Sequence, residues 1–90
     1  MLPRPPSPAR VEAFRMKLRR ELAATVAERI RRKAMTQVRA AELLGITQPR
    51  LNALLNGRTE MFSLDALVDL AQRSGLSVSI KATRPYSARD

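Results

Sequence analysis

The stretch that decides the fold is "QVRAAELLGITQPRLNALLNG", Gln37–Gly57, near the middle of the 90-residue chain. Apolar residues recur at helical spacing on both sides of Gly45, and a second glycine ends the stretch. Gly45 can adopt a left-handed backbone conformation without steric penalty, so it can turn the chain between two short helices. Ala41 is small enough for those helices to cross closely. The pattern therefore predicts two short helices that cross at a steep angle over a shared apolar core.

The bounds of these two helices follow from their capping residues. Thr36 is a favourable N-cap, so the first helix is predicted over residues 37–44. The second is predicted over about residues 48–56, with its cap either at Thr47 or one residue later. Both starts stay open because Pro49 suits the first turn of a helix but pushes the residue before it toward extended backbone. Two helices joined by a glycine-containing turn have the geometry of a helix-turn-helix.

Further helices are predicted on either side of this pair. Residues 1–9 are rich in proline, which fixes φ and removes a backbone donor, and are predicted to form a flexible arm. Ser63 caps a helix over about residues 64–74, so residues 10–75 together form one helical domain. A long amphipathic helix opens that domain, with a stripe of apolar residues at spacings of three and four. The stripe consists of Val11, Phe14, Leu18, Leu22, Val26 and Ile30.

The period of the pattern changes after Gly75. Apolar residues alternate with polar ones over residues 76–84, which predicts a half-buried β-strand, and residues 85–90 are predicted to be a flexible tail. A lone strand leaves its backbone groups unpaired, so the simplest partner is the same strand of a second copy. Two alternatives stay open: a tail folded on its own helices, and pairing with a different protein. The inward side chains of the dimerisation strand are Leu76, Val78, Ile80 and Ala82.

The composition argues against catalysis and against a metal site. The chain contains no cysteine and no histidine, so the usual zinc ligands, thiolate nucleophiles and proton-shuttling bases are absent from the sequence. We predict a protein that is not an enzyme and that holds no metal or cofactor. No run of eighteen or more apolar residues suggests a membrane span, and the first ten residues lack a secretory signal. The expected location is the cytoplasm.

The net charge of +9 indicates a polyanionic or acidic partner. Ten of the 17 basic side chains lie in the first 35 residues. Among them, the run "RIRRK", Arg29–Lys33, places cations at the negative end of the long helix, where they are favourable by about 0.3–1 kcal/mol. We interpret this run as a helix-stabilising device. The role of the remaining basic groups stays open between DNA phosphates, an acidic protein and simple solubility.

The segment "MTQVRAAELLGITQPRLNALLNGRTE", residues 35–60, resembles the helix-turn-helix of the XRE family, whose domains are lambda-repressor-like. The longer stretch to "FSLDALVDLAQRSGLSVSIKATRP" is similar to single-domain regulators and antitoxins of the HigA type. The resemblance covers about residues 18–85. It implies a mainly α, four- to five-helix domain that binds operator DNA as a dimer. In the antitoxin branch, it also implies neutralisation of a partner toxin and repression of the shared promoter.

The resemblance also implies roles for residues at the two helix starts. In similar domains the glutamine that opens the first motif helix donates to a DNA phosphate, and that residue is Gln37 here. The Thr-Gln pair that opens the second helix lies at the floor of the major groove. This implies a phosphate or base contact for Thr47 and a base contact for Gln48.

The remaining site residues follow along the second helix and its end. The resemblance places Arg50 and Asn52 on the DNA-facing part as further base readers, and Asn56, Gly57 and Arg58 at the phosphates. The chemistry agrees independently, because Gln or Asn can pair bidentately with adenine and Arg with guanine. Each good pair discriminates against a wrong base by about 1–3 kcal/mol.

Two residues depart from the family pattern. Ala53 stands where relatives often carry a long polar reader, which leaves only a thymine methyl contact there. Pro49 replaces a second glutamine, so one hydrogen-bonding reader is lost. Simpler roles also stay open: Gln37 as a helix-start residue, Asn56 as a turn former, and Arg50 as a solvated charge or an intrachain partner.

These observations lead to one interpretation and one rival. We interpret the chain as a homodimeric, sequence-specific regulator of transcription, most simply a repressor, that binds double-stranded DNA in successive major grooves. The rival is an antitoxin whose main task is to bind a toxin protein. Association with a membrane surface is disfavoured because the long helix lacks the bulky apolar face that such binding needs.

Overall fold

A computed structural model describes residues 4–83 of the chain. Within that range the fold is built from four α-helices and one 3₁₀ turn, with no strand. The mainly α architecture predicted from the sequence is confirmed. The helices are α1 Pro8–Arg32, α2 Gln37–Leu44, α3 Gln48–Leu55 and α4 Leu64–Arg73, and the 3₁₀ turn is Thr59–Met61.

Helix α1 begins two residues before the predicted boundary at residue 10. Ser7 caps it by accepting a hydrogen bond from the Arg10 amide at 3.2 Å, and Pro8 occupies the first helical position, where no intrahelical donor is needed. Only the second half of α1 belongs to the core, and its buried residues begin at Ala23. The predicted apolar stripe is therefore continuous along α1, but its members before Ala23 are exposed or only half-buried.

The core lies between the second half of α1 and the three short helices. Ala40 and Ala41 are both buried in α2, so α3 can approach α2 closely. Phe62 precedes the N-cap Ser63 and Leu67 lies in the first turns of α4, and both are buried, which is the arrangement of a hydrophobic staple. The largest fully buried side chains are Leu44, Leu51, Leu54, Leu67 and Val26, with Ser74.

Gly45 makes the turn between α2 and α3. Its φ is +69°, and the next amide, that of Ile46, donates to the Ala41 carbonyl at 3.0 Å. This is a Schellman closure, which satisfies a carbonyl at the end of α2. A side chain at this position would be strained by the positive φ.

Two arginines of the "RIRRK" run connect α1 to the ends of other helices. The Arg29 Nε donates to the Ser74 carbonyl at 3.0 Å, at the end of α4, and Arg31 donates to the Leu55 carbonyl at the end of α3. Both contacts supply a cation and a donor to carbonyls that lack an intrahelical partner. The run therefore stabilises the negative ends of α3 and α4 as well as that of α1.

The predicted strand at 76–84 is not formed within the described residues. Residues 76–83 lie along α1 without a ladder, and the backbone groups of residues 77–83 make no backbone hydrogen bond to another described residue. Alternation survives only in part: Leu76 and Val78 are half-buried, but Ile80 is 89% exposed and Ala82 is also exposed. A ladder needs a second strand, and the chain described here does not supply one.

Residues 1–3 and 84–90 lie outside the described residues. They include the first three residues of the predicted arm, the last residue of the predicted strand and the whole predicted tail. Among the helices that the structure describes, none is both long enough and apolar enough to cross a membrane.

Candidate nucleic-acid interface

The starts of α2 and α3 are built in the same way. Thr36 accepts a hydrogen bond from the amide of Arg39 at 3.2 Å, and Thr47 accepts one from the amide of Arg50 at 3.3 Å. Each threonine has extended backbone, so each is the N-cap of its helix. The cap of α3 is therefore Thr47, which decides between the two starts that Pro49 left open.

A glutamine occupies the first helical position in both cases. Gln37 opens α2 and Gln48 opens α3, and both are exposed. Pro49 follows at the second position of α3, where its missing N–H leaves no helical hydrogen bond broken. Both glutamines thus stand at the positive ends of their helices with their amides available to solvent.

Helix α3 presents a polar face above an apolar one. Leu51 and Leu54 are buried, whereas Gln48, Asn52 and Asn56 are exposed and follow one another at intervals of four residues. Residues four apart lie on one side of a helix, so these three side chains form a single stripe, here called the α3 polar stripe. It offers amide donors and acceptors of the kind that pair with base edges in the major groove.

Two members of the α3 polar stripe are held to each other. The Nδ2 of Asn56 donates to the carbonyl of Asn52 at 2.9 Å and to its Oδ1 at 3.0 Å. Asn56 is also the C-cap of α3. The Nδ2 of Asn52 makes no hydrogen bond within the described residues, so it is the donor that this pair leaves for a partner.

Arg50 lies apart from the α3 polar stripe. It is two residues from Gln48 and from Asn52, so its side chain projects from roughly the opposite side of the helix. There its guanidinium carbon stands 4.6 Å from the ring centroid of the buried Phe62, a cation–π contact. The described residues provide no carboxylate or carbonyl partner for this guanidinium.

Ala53 does not reach the surface. It is only 2% exposed and belongs to the core beside Leu54. The sequence-based expectation of a thymine methyl contact at this position is therefore wrong. Because α3 packs on Phe62 and α1 through this side, an alanine methyl cannot extend beyond its neighbours.

The segment after α3 closes with Gly57 in a left-handed conformation. Its φ is +75°, and the amide of Arg58 donates to the Ala53 carbonyl at 3.0 Å. A Cβ added at Gly57 would meet nothing within 4 Å, so the glycine is required by its backbone angle rather than by crowding. Arg58 is exposed and forms no ion pair within the described residues, including with Glu60.

Most of the predicted site residues therefore fall into two exposed groups, and Arg50 stands apart from both. Gln37 and Gln48 share the helix-start arrangement, and the segment 56–58 follows the far end of α3. The Arg50–Phe62 stack could not be predicted from the sequence, because the two residues are twelve apart and Phe62 fits a core position equally well. No group of three or more potential metal ligands occurs among residues 4–83.

Comparison with known proteins places this arrangement in a family. The family model described as a helix-turn-helix domain matches residues 6–83. A solved structure whose description assigns it to the XRE family of transcriptional regulators is 30% identical, with a TM-score of 0.78. The match covers 88% of this chain and 89% of that chain. No curated protein matches. The chain belongs to the helix-turn-helix domain family, and its fold is that of the XRE type.

Proposed function

We propose that this protein is a sequence-specific DNA-binding regulator of transcription, a repressor that acts as a homodimer. One observation carries the proposal: the α3 polar stripe is exposed on a helix whose other side is anchored in the core. A short helix with a fixed base and three amide side chains on its outer face matches the size and chemistry of the major groove. The similarity to an XRE-family regulator supports the same function.

The base-reading contacts are proposed for the start and middle of α3. Gln48 and Asn52 would pair with base edges, with adenine the preferred base for each amide side chain. The Thr47 hydroxyl already accepts from the Arg50 amide, so its hydrogen remains available for a phosphate or a base acceptor. Arg50 projects away from the α3 polar stripe, so it would bind a guanine or a phosphate beyond the base pairs that Gln48 and Asn52 read, with its guanidinium held by Phe62.

The phosphate contacts are proposed for both flanks of α3. Gln37 lies at the positive end of α2, and a phosphate there would meet both the side chain and free backbone amides. Asn56, Gly57 and Arg58 would contact the backbone beyond the other end of α3. These contacts position the protein without reading sequence, so they should respond to salt rather than to base changes.

Selection from random DNA with the purified full-length protein tests the proposal. We expect an enriched near-palindromic site whose half-sites are about 34–36 Å apart, one turn of B-DNA. Affinity for that site should fall steeply with salt concentration as counterions are released. Recovery of no sequence preference, with affinity equal for all duplexes, would contradict specific recognition.

An antitoxin role is the second candidate, and the surface charge of α1 favours it. Arg10, Lys17 and Arg20 are exposed on the first half of α1 and have no ion-pair partner among the described residues. They would suit an acidic protein partner, and such a role can coexist with DNA binding. Co-expression with the product of an adjacent gene, followed by purification of the tagged chain, should yield a stable complex if this role exists.

A further inference from the structure

A groove runs along α1, bounded by residues 76–83 and, at one end, by the start of α4. On the α1 side it is lined by Phe14, Leu18 and Leu22, and on the other side by Val78 and Ile80. We call this surface the α1–tail groove. Phe14 is 58% exposed and Ile80 89% exposed, so two large apolar side chains at its rim face water in the single chain. Clustered apolar exposure of this kind marks an interaction surface.

The order of contacts fixes the direction of the groove. Leu76 lies near Thr25 and Arg29, Val78 near Leu22, and residues 82–83 near Phe14. Residues 76–83 therefore run antiparallel to α1. Their backbone donors and acceptors from residue 77 onward are unpaired within the described residues, so the edge of this segment can accept a strand.

The charges along the α1–tail groove are arranged in sequence. Glu21 and Asp65 line the end near Val78, and Lys81 lines the other end near Phe14. The middle is apolar. A surface with acid at one end and base at the other is complementary to itself when a second copy is turned by a two-fold axis across its centre. A pattern serving only an unrelated partner would have no reason to be self-complementary.

We propose that a second copy of this chain occupies the α1–tail groove, with the two segments 76–83 paired antiparallel about Ser79. The axis would place Lys81 of each copy toward the Glu21 end of the other and cover Phe14 and Ile80 of both. This proposal deepens the homodimer of the proposed function and rests on it for biological meaning. The proposed interface includes α1, whereas the dimer predicted from the sequence was formed by the strand alone.

The interface is isologous, so each side chain acts twice and a single substitution has a doubled effect. Placing a carboxylate at Phe14 or Ile80 should weaken the dimer about 100-fold or more, because two buried apolar contacts are lost and two charges are desolvated. Both side chains are exposed in the single chain, so the fold of the variants should be intact by circular dichroism and thermal unfolding.

Sedimentation equilibrium of the full chain is the first test. The wild type should be a dimer at micromolar concentration, and Phe14→Glu and Ile80→Glu should be monomers. Met16→Glu is the matched control, since Met16 is 44% exposed on the same helix but outside the groove lining, and this variant should stay dimeric. A monomeric wild type, a dimer that survives both groove variants, or equal disruption by Met16→Glu would overturn the proposal.

A charge exchange is the sharper test. Glu21→Lys and Lys81→Glu should each weaken self-association about three- to tenfold by opposing like charges. An equimolar mixture of the two variants should form a mixed dimer of near wild-type stability, because both cross-contacts become attractive again. Failure of the mixture to recover would contradict the antiparallel arrangement.

DNA-binding measurements distinguish a failure of the proposed dimer interface from a failure of the proposed function. A chain that is monomeric yet binds a single half-site in a salt-dependent way would keep the proposed function and overturn this interface. A dimer that ignores all DNA would keep the interface and overturn the function. If the wild type is a monomer and Phe14→Glu abolishes capture of a different protein, that protein rather than a second copy occupies the groove.

Discussion

Helix α3 and the segment 76–83 are both short stretches with a regular spacing of apolar residues, yet only one of them forms the predicted element. The turns of α3 pair with one another, and its apolar side is covered by α1, α2 and Phe62. The segment 76–83 alternates just as regularly, but a strand needs a second strand to pair its backbone groups, and none lies beside this segment among the described residues. A local sequence pattern determines the element when the same chain supplies the backbone partners. It does not when those partners must come from a second strand.

The largest expected difference between the two regions is in stability. Leu51→Ala removes a fully buried side chain beneath α3 and should lower the free energy of unfolding by about 2–5 kcal/mol. Ile80→Ala removes a side chain of similar size that is 89% exposed, and should change the monomer's free energy of unfolding by about 0.5 kcal/mol or less. Chemical denaturation under conditions that keep the chain monomeric measures both. Equal effects would mean that segment 76–83 is packed as firmly as α3.

The next effect concerns the outer side of α3. Gln48→Ala should reduce discrimination between the selected site and a site with one changed base by about 1–3 kcal/mol, because it deletes an amide pair to a base edge. Gln72→Ala is the control, an exposed glutamine on α4 that is not among the proposed base readers. Competition binding with single-base variants of the site gives the discrimination directly. Unchanged preference at every position would remove Gln48 from the base readers.

A smaller effect is expected from Arg58, beyond the end of α3. Arg58→Ala should weaken binding to all duplexes alike and reduce the slope of log affinity against log salt by about 1, as loss of one phosphate contact requires. Arg32→Ala serves as the control, since Arg32 is already paired with Glu28 at 2.9 Å on α1. A change in base preference with an unaltered salt slope would argue for base contact instead.

The smallest effect is the coupling between Arg50 and Phe62. A double-mutant cycle with Arg50→Ala and Phe62→Leu should give an interaction energy of about 0.5–1 kcal/mol in unfolding, the usual range for a partly exposed cation–π pair. Leucine keeps much of the core volume at Phe62. The same variants in DNA selection locate the acceptor: a relaxed base position in Arg50→Ala indicates guanine, and a uniform loss indicates phosphate. A coupling of zero would mean that the ring does not hold the guanidinium.

Much of the helical part was predictable because its signals are local. Thr36 and Ser63 cap the helices they were expected to cap, and Gly45 makes the expected turn. The start of α3 was ambiguous because Pro49 fits two registers equally well; the hydrogen bond from the Arg50 amide to Thr47 selects one.

The features missed from the sequence all depend on distant contacts. Arg29 and Ser74 are 45 residues apart, so no pattern within one helix could reveal that one caps the other's helix. Ala53 was expected at the surface because its position was taken from relatives, but packing against the core decides its exposure. The DNA contacts proposed for residues of α2, α3 and the segment 56–58 stay predictions, because each contact depends on a partner molecule as well as on the side chain.

Pro49 makes the starts of α2 and α3 differ in the number of free backbone amides. In α2 the amides of Gln37 and Val38 are free of partners within the described residues, whereas α3 has only the amide of Gln48, because Pro49 lacks an N–H and Thr47 takes that of Arg50. The start of α3 therefore attracts an anion less than that of α2 does. In the proposed complex, the start of α2 would bind a DNA phosphate more strongly than the start of α3 does. The position of α3 in the groove would then be set by its contacts with the bases and not by the DNA backbone.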